Sequence, residues 1–270
     1  MLHAPFELID ARTHLLDPIF NGQVRAVLDR AERSGVTSMV CLAGQPDQWP
    51  LLYDLAQQHP MILPCFGLSP DAISDRPRDW LNQLGLFLRN IAAGVGPIGL
   101  PAREHRNEGR SIFKAQWDLA RQFRRPVIIE RQQPWRPLVQ ALDDAPTDMA
   151  GLLVHVQGFD AGSVDTLVRH GAYFSLSGDV FKWRKGRLAK ILNTLALDRL
   201  VLESSSPEGI PPDRMGPYVH IGPEGRMINE PANLPHIFRA LAPLLALEQD
   251  QLAQALGHNA MCLLGVLMRG

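Results

Sequence analysis

A chain of 270 residues with 46% hydrophobic and 20% charged side chains has the composition of an ordinary soluble globular protein, long enough for one large α/β domain. Its formal charge of -1 excludes a global electrostatic pull toward nucleic acid or membrane, so any such affinity must come from a local patch. The opening residues lack a signal peptide's basic start and continuous apolar core, no run of about 18 apolar residues spans a bilayer, and the scattered Cys41, Cys65 and Cys262 suit a reduced, cytoplasmic protein.

Taken in order, Leu8-Ile9-Asp10 opens a strand that runs into Arg12 and His14. Residues two apart on a strand share a side, so Arg12 and His14 are expected to face one pocket. Helix-spaced apolar residues run from Val24 to Ala31 and stop at Ser34-Gly35. Strands are expected at 38–42, 61–67, 94–100, 127–129, 152–155, 173–176 and 200–203, with Pro64 awkward inside the third strand of the series. Helices are expected at 48–58, 79–91, 112–123, 134–142, 161–169, 186–195, 235–245 and 249–256, with Pro243 ending or kinking the next to last. The stretch 103–110 reads as a charged rim loop, and 204–228, rich in Pro and Gly, as a long final loop over the mouth.

Eight short apolar runs alternating with helices predict parallel β/α units covered on both faces. The G-x-G-x-x-G fingerprint of the open doubly wound sheet is absent after the first strand. The length then favours a TIM-type (β/α)8 barrel, read as a single domain over residues 1–270.

In such barrels chemistry lies at the C-terminal ends of strands. Those ends carry Arg12 and His14, then Ser69, Pro97, Glu130, His155 and Ser205. Two histidines and a carboxylate at one mouth suit a zinc, iron or manganese ion, although each residue alone also reads as a hydrogen-bonded rim residue, and no local spacing such as H-E-x-x-H is present.

The same strand ends resemble a family. Ile9-Asp10-Ala11-Arg12-Thr13-His14-Leu15 is similar to the I-D-T-H-C-H-L of TatD-related metal-dependent deoxyribonucleases, in the amidohydrolase superfamily. Gly67-Leu68-Ser69-Pro70 resembles G-[IL]-H-P, Gly96-Pro97-Ile98-Gly99-Leu100 resembles G-E-I-G-L, and Pro126 to Glu130 resembles P-V-[IV]-[IL]-H. Leu152 to His155, Leu202 to Pro207 (L-E-T-D-S-P), Asn229 to Pro235 (N-E-P-x-N-L-P) and His258-Asn259-Ala260 (E-N-A) continue the series in order over nearly the whole chain.

The resemblance implies a hydrolase fold with two divalent ions, held at the positions of Arg12, His14, Pro97, Glu130, His155 and Ser205, with a phosphate-side contact at Ser69. Of the six ligand positions only His14 and His155 keep the family's residue. Proline offers no side-chain donor atom, and a guanidinium cannot be deprotonated to ligate and repels a divalent cation. A two-metal hydrolase needs its bridging carboxylate, which the resemblance places where Pro97 stands.

The sequence therefore predicts a degraded centre without catalytic metal. Arg12 is expected to pair with Glu130 in the space of the ions, with Ser69, Arg12 and Glu130 left to contact a ligand. The alternatives are a reduced site holding one zinc, manganese or magnesium ion on His14, His155 and Glu130, still acting as a nuclease or phosphodiesterase, and metal-free hydrolysis by Ser205 with His155 as base. Small-molecule, nucleic-acid and protein partners all stay open, and no membrane partner is expected. Lys182, Arg184, Lys185, Arg187 and Lys190, with Phe181 and Trp183 interleaved, read either as a phosphate-backbone contact or as a solvated helix face. Trp49, Trp80 and Trp117 are expected to pack, and Asp10 and Glu203 to support structure.

Overall fold

Residues 6–101, 106–129, 135–143, 145–156, 161–212 and 216–268 are described by a computed structural model. Eight strands alternate with helices: β1 (Leu8–Thr13), β2 (Val36–Ala43), β3 (Ile62–Phe66), β4 (Gly94–Ile98), β5 (Val127–Ile129), β6 (Leu152–His155), β7 (Ala172–Leu176) and β8 (Leu200–Leu202). Their order in the sheet is their order in the chain, the arrangement of a TIM-type (β/α)8 barrel. The helices are α1 (Val24–Arg33), α2 (Gln48–Gln58), α3 (Trp80–Asn90), α4 (Arg106–Phe123), α5 (Arg136–Asp143), α6 (Val164–Arg169), α7 (Lys185–Leu192), α8 (Leu234–Leu244) and α9 (Gln249–Leu264). None of the described helices is long and apolar enough to cross a membrane. β3, β4, β5, β6 and β8 are buried at every position, which is why they read as unbroken apolar runs.

Two compact units make up the chain, residues 1–41 with 175–261, and residues 42–174 with 262–270. In the first, β1 and β2 pair in parallel with Asp10 opposite Met39 and Thr13 opposite Cys41. On its other side the end of β1 meets the turn after β8: the Ser205 N–H donates to Arg12 O at 3.1 Å, and the His14 N–H to Ser206 O at 2.9 Å. First and last strands are thus stitched together at the residues that carry the motifs. Asn259 on α9 donates through Nδ2 to the carbonyls of Leu197 and Leu200 at 2.8 and 2.7 Å, fixing the start of β8.

In the second unit, β3 to β6 pair in register through Phe66–Val95, Val95–Val127 and Ile128–Leu153. β4 needs glycine because its neighbours approach so closely: a Cβ on Gly96 would lie 2.7 Å from the Ile128 Cβ. Gln116 of α4 clamps the backbone of Leu68, accepting from its N–H at 2.6 Å and donating to its carbonyl at 3.1 Å. The Trp49 indole N–H reaches the carbonyls of Ala43 and Gly67, so this tryptophan packs and positions backbone, as expected.

Three boundaries differ from expectation. The charged stretch expected as a loop at 103–110 is helix from Arg106 onward, residues 102–105 lying outside the described set. Gly109 hid that helix; it sits where a Cβ would come 2.5 Å from Pro101 Cγ, and Glu108 in the first turn suits the helix dipole and pairs with Arg76. α9 runs eight residues past its expected stop, straight through Gly257, beside which no atom stands within 4 Å of a Cβ. Within the long final loop, β9 (His220–Ile221) and β10 (Met227–Ile228) form a short antiparallel hairpin that two-residue strands could not announce.

Candidate functional site

In the first unit the site is built by the strand-end crossing of β1 and β8. Asp10 is wholly buried, and its Oδ1 accepts from the Ser204 N–H at 2.8 Å and the Arg12 N–H at 3.2 Å. It is a brace between the two strand ends, as expected of it. Burial pushes its carboxyl up to about 7; the Ser204 and Arg12 hydrogen bonds oppose this, and the nearby Glu203 charge adds to it.

Arg12, only 4% exposed, turns inward. Its Nη1 donates to Ser205 Oγ at 2.9 Å and lies 3.8 Å from Oε1 of Glu203, whose side chain is fully buried. Ser205 takes up φ of 53°, a left-handed conformation unusual for serine. The turn that holds it is fastened from the Asn229–Asn233 segment. Asn229 Nδ2 donates to the carbonyls of Ser204 and Gly209 at 3.0 and 3.2 Å, Ser206 Oγ donates to Asn229 O at 2.7 Å, and Asn233 Nδ2 donates to Asn229 Oδ1 at 2.9 Å. Gly209 is required here, because at φ of 62° a Cβ would press 2.1 Å from Ser204 O.

The second unit by itself holds Ser69, Pro97 and His155. The Ser69 N–H donates to Gly44 O at 2.9 Å, and a Cβ on Gly44 would stand 3.0 Å from Pro97 Cγ and 3.1 Å from Ser69 Cβ. A ring and a hydroxymethyl group thus converge on a glycine. His155 ends β6 and is buried, whereas His14 follows β1 and is half-buried.

The sequence motifs therefore come together as two sets, Arg12 with Ser205 and Ser69 with Pro97. Glu130, and with it the expected Arg12–Glu130 pair, lies outside the described residues. Among the described residues, the guanidinium engages Glu203 and Ser205. Glu203 as its partner was missed; the signal was a glutamate ending an otherwise apolar strand, in a place where a buried carboxylate needs a cation.

The model of the TatD related DNase family matches residues 9–265. This chain belongs to the TatD family. Relatives include human deoxyribonuclease TATDN3, 24% identical with 94% of this chain and 93% of that protein covered. An uncharacterised metal-dependent hydrolase TatD of Mycobacterium tuberculosis is 27% identical, with 94% and 96% covered. Among solved structures, the TatD homologue YjjV of Escherichia coli superposes with a TM-score of 0.81 at 24% identity, covering 95% of this chain and 97% of that one. The shared fold is that of the barrel.

TatD relatives are described as metal-dependent, and the residues present here do not fit the implied pair of ions. A permanent cation sits at the first ligand position with its Nη1 on Ser205 Oγ, the hydroxyl that replaces the aspartate. Pro97 has no donor atom to bridge two ions. Among the described residues, no group of three or more His, Cys, Asp or Glu side chains converges as a metal site.

Proposed function

We propose that this chain is a noncatalytic TatD-family protein, a single barrel domain of the cytoplasm whose strand-end mouth binds a partner without hydrolysing it. The observation that carries the reading is Arg12, turned inward onto Ser205 and Glu203. A guanidinium can neutralise a buried carboxylate and hold an acceptor, but it cannot polarise a phosphoryl oxygen as a Lewis acid or lower the pKa of a bound water. What remains for the mouth is recognition of a small molecule, nucleic acid or protein.

The test combines metal analysis with a nuclease assay. Protein purified without chelator is expected to hold far less than one equivalent of zinc, manganese or magnesium, and to leave single- and double-stranded DNA intact with each ion added. Stoichiometric metal, or metal-dependent cleavage that His155→Ala abolishes, overturns the proposal in favour of a hydrolase with a reduced site.

A further inference from the structure

We propose that His170 is an acid-released clamp: as a neutral imidazole it ties the connection between α5 and β6 to α6, and protonation frees that connection. The clamp belongs to the second unit and does not depend on whether the mouth is catalytic. An α-to-β connection runs at the end of a β/α barrel opposite the strand ends that carry the motifs.

His170 caps α6. Its backbone N–H donates to Leu167 O at 3.0 Å, and Gly171 follows with φ of 74°, the left-handed turn that ends the helix. The residue is 2% exposed, and its imidazole donates to the carbonyls of Leu142, in the last turn of α5, and Pro146, in the connection. Nδ1 has no hydrogen-bond partner among the described residues, which places the donated hydrogen on Nε2. The Trp117 ring of α4 stands at 80° to the imidazole with centroids 5.7 Å apart, and its buried Nε1–H also lacks a partner among the described residues. On the surface, the same connection is held by Arg121 of α4, whose guanidinium donates to both oxygens of the exposed Asp148 at 2.6 and 2.9 Å.

Protonation adds an N–H at Nδ1, where the described residues offer no acceptor and the neighbouring ring, Trp117, carries another donor. It also puts a charge where water is excluded. Both costs fall on the closed state alone, because opening returns the imidazole to solvent. Burial accordingly holds His170 below its ordinary 6.5, with the two carbonyls opposing the shift. Of the nearby charges, Arg169 adds to the lowering and Asp143 opposes it, and the two pair with each other at 3.1 Å. Asp165, in the first turn of α6, is exposed. On α4, Lys114, Asp118 and Arg121 pair among themselves and with Asp148, and Arg121 holds the Asp148 carboxyl below its usual range, so Asp148 stays ionised while His170 titrates. Below 6.5 the closed state thus binds fewer protons than the open one. The closed form is fully favoured above that pH and loses up to about tenfold per pH unit beneath it, until His170 is protonated in both states.

Amide hydrogen exchange of peptides spanning residues 142–152 tests this from about pH 7.5 to about pH 5, with each rate divided by its intrinsic pH dependence. Protection is expected to hold steady above 6.5 and to fall by up to about tenfold per pH unit below it, while α2 keeps its protection throughout. His170→Gln keeps a donor at the Nε2 position and does not titrate, so its profile is expected to be flat. Asp148→Asn is expected to lower protection by one factor at every pH, leaving the pH dependence in place. Where His170→Gln fails to fold, exchange of the His170 imidazole C2–H in the wild type reads its midpoint directly, expected below 6.5. A flat wild-type profile, the same acid-induced loss in His170→Gln, or a midpoint at or above 6.5, as a cation stabilised on the Trp117 ring would give, each overturns the proposal.

Discussion

Replacing Arg12 by alanine removes the cation 3.8 Å from Glu203 and the donor to Ser205, both inside a buried cluster. At that separation and an effective dielectric of about 20, the charge–charge attraction is about 4 kcal/mol, and breaking one side of a buried pair typically costs about 3–5 kcal/mol. At about 2.1 cal/mol/K per residue, a chain of 270 residues has an unfolding entropy of about 0.57 kcal/mol/K, so this loss lowers Tm by about 5–9 °C. Thermal unfolding followed by circular dichroism, with urea titration as a second measure, reads it directly. The paired substitution Arg12→Met with Glu203→Leu removes both charges and is expected to lie within about 2 kcal/mol of the wild type, because replacing a whole buried pair is far less damaging than orphaning half of it. If Arg12→Ala stays within about 2 °C of the wild type, or if the double variant is as unstable as the single one, the guanidinium is not balancing Glu203 and the reasoning fails.

Asp10 gives a pH-dependent prediction. With its carboxyl raised from 3.8 to about 7 by burial, the folded state holds a proton that the unfolded state releases, so its contribution is fully present below about pH 4 and is lost as pH rises to about 7. Wild-type stability relative to Asp10→Asn is expected to fall by up to about 1.4 kcal/mol per pH unit across that window and to level off above it; parallel pH profiles for the two proteins would contradict this. Arg12→His restores the spelling of the family's H-x-H pair yet is expected to leave zinc content far below one equivalent by elemental analysis, because Pro97 and Ser205 still supply no bridging or terminal carboxylate; uptake of one equivalent would show that Arg12 alone blocks the site.

The barrel was legible because its strands are buried on both faces and punctuated by Gly and Pro, so period and length agreed at nearly every element. The errors fell where local chemistry disguised the element: Gly109 and Gly257 sit inside helices that tertiary packing holds, and a two-residue hairpin has no period to detect. At the site, the strand-end positions of Arg12, Ser69, Pro97, His155 and Ser205 followed from counting residues along strands. That Glu203 stands beside Arg12 did not, because contacts across the sheet depend on the stagger of β1 against β8, and the sequence of either strand alone does not encode it. The roles of Asn229, Asn233 and Asn259 also became physical only when their amides were seen to fasten the β8 turn and the start of β8.

The substitutions also hold one another in place. The cluster at the end of β1 and β8 contains two buried carboxyls, Asp10 and Glu203, and the guanidinium of Arg12. Arg12 lies beside Glu203, and Asp10 keeps its proton until about pH 7, so these three groups together carry little net charge below that pH. Returning position 12 alone to histidine takes the balancing cation away from Glu203 before any metal can be held. Returning position 205 alone to aspartate adds a carboxylate that Arg12 itself neutralises, leaving the guanidinium where an ion would have to sit. Returning position 97 alone to glutamate offers a bridge with no ions on either side of it. On the noncatalytic reading proposed above, each single reversal either unbalances a buried charge or keeps the cation, so no one substitution is expected to rebuild a metal site.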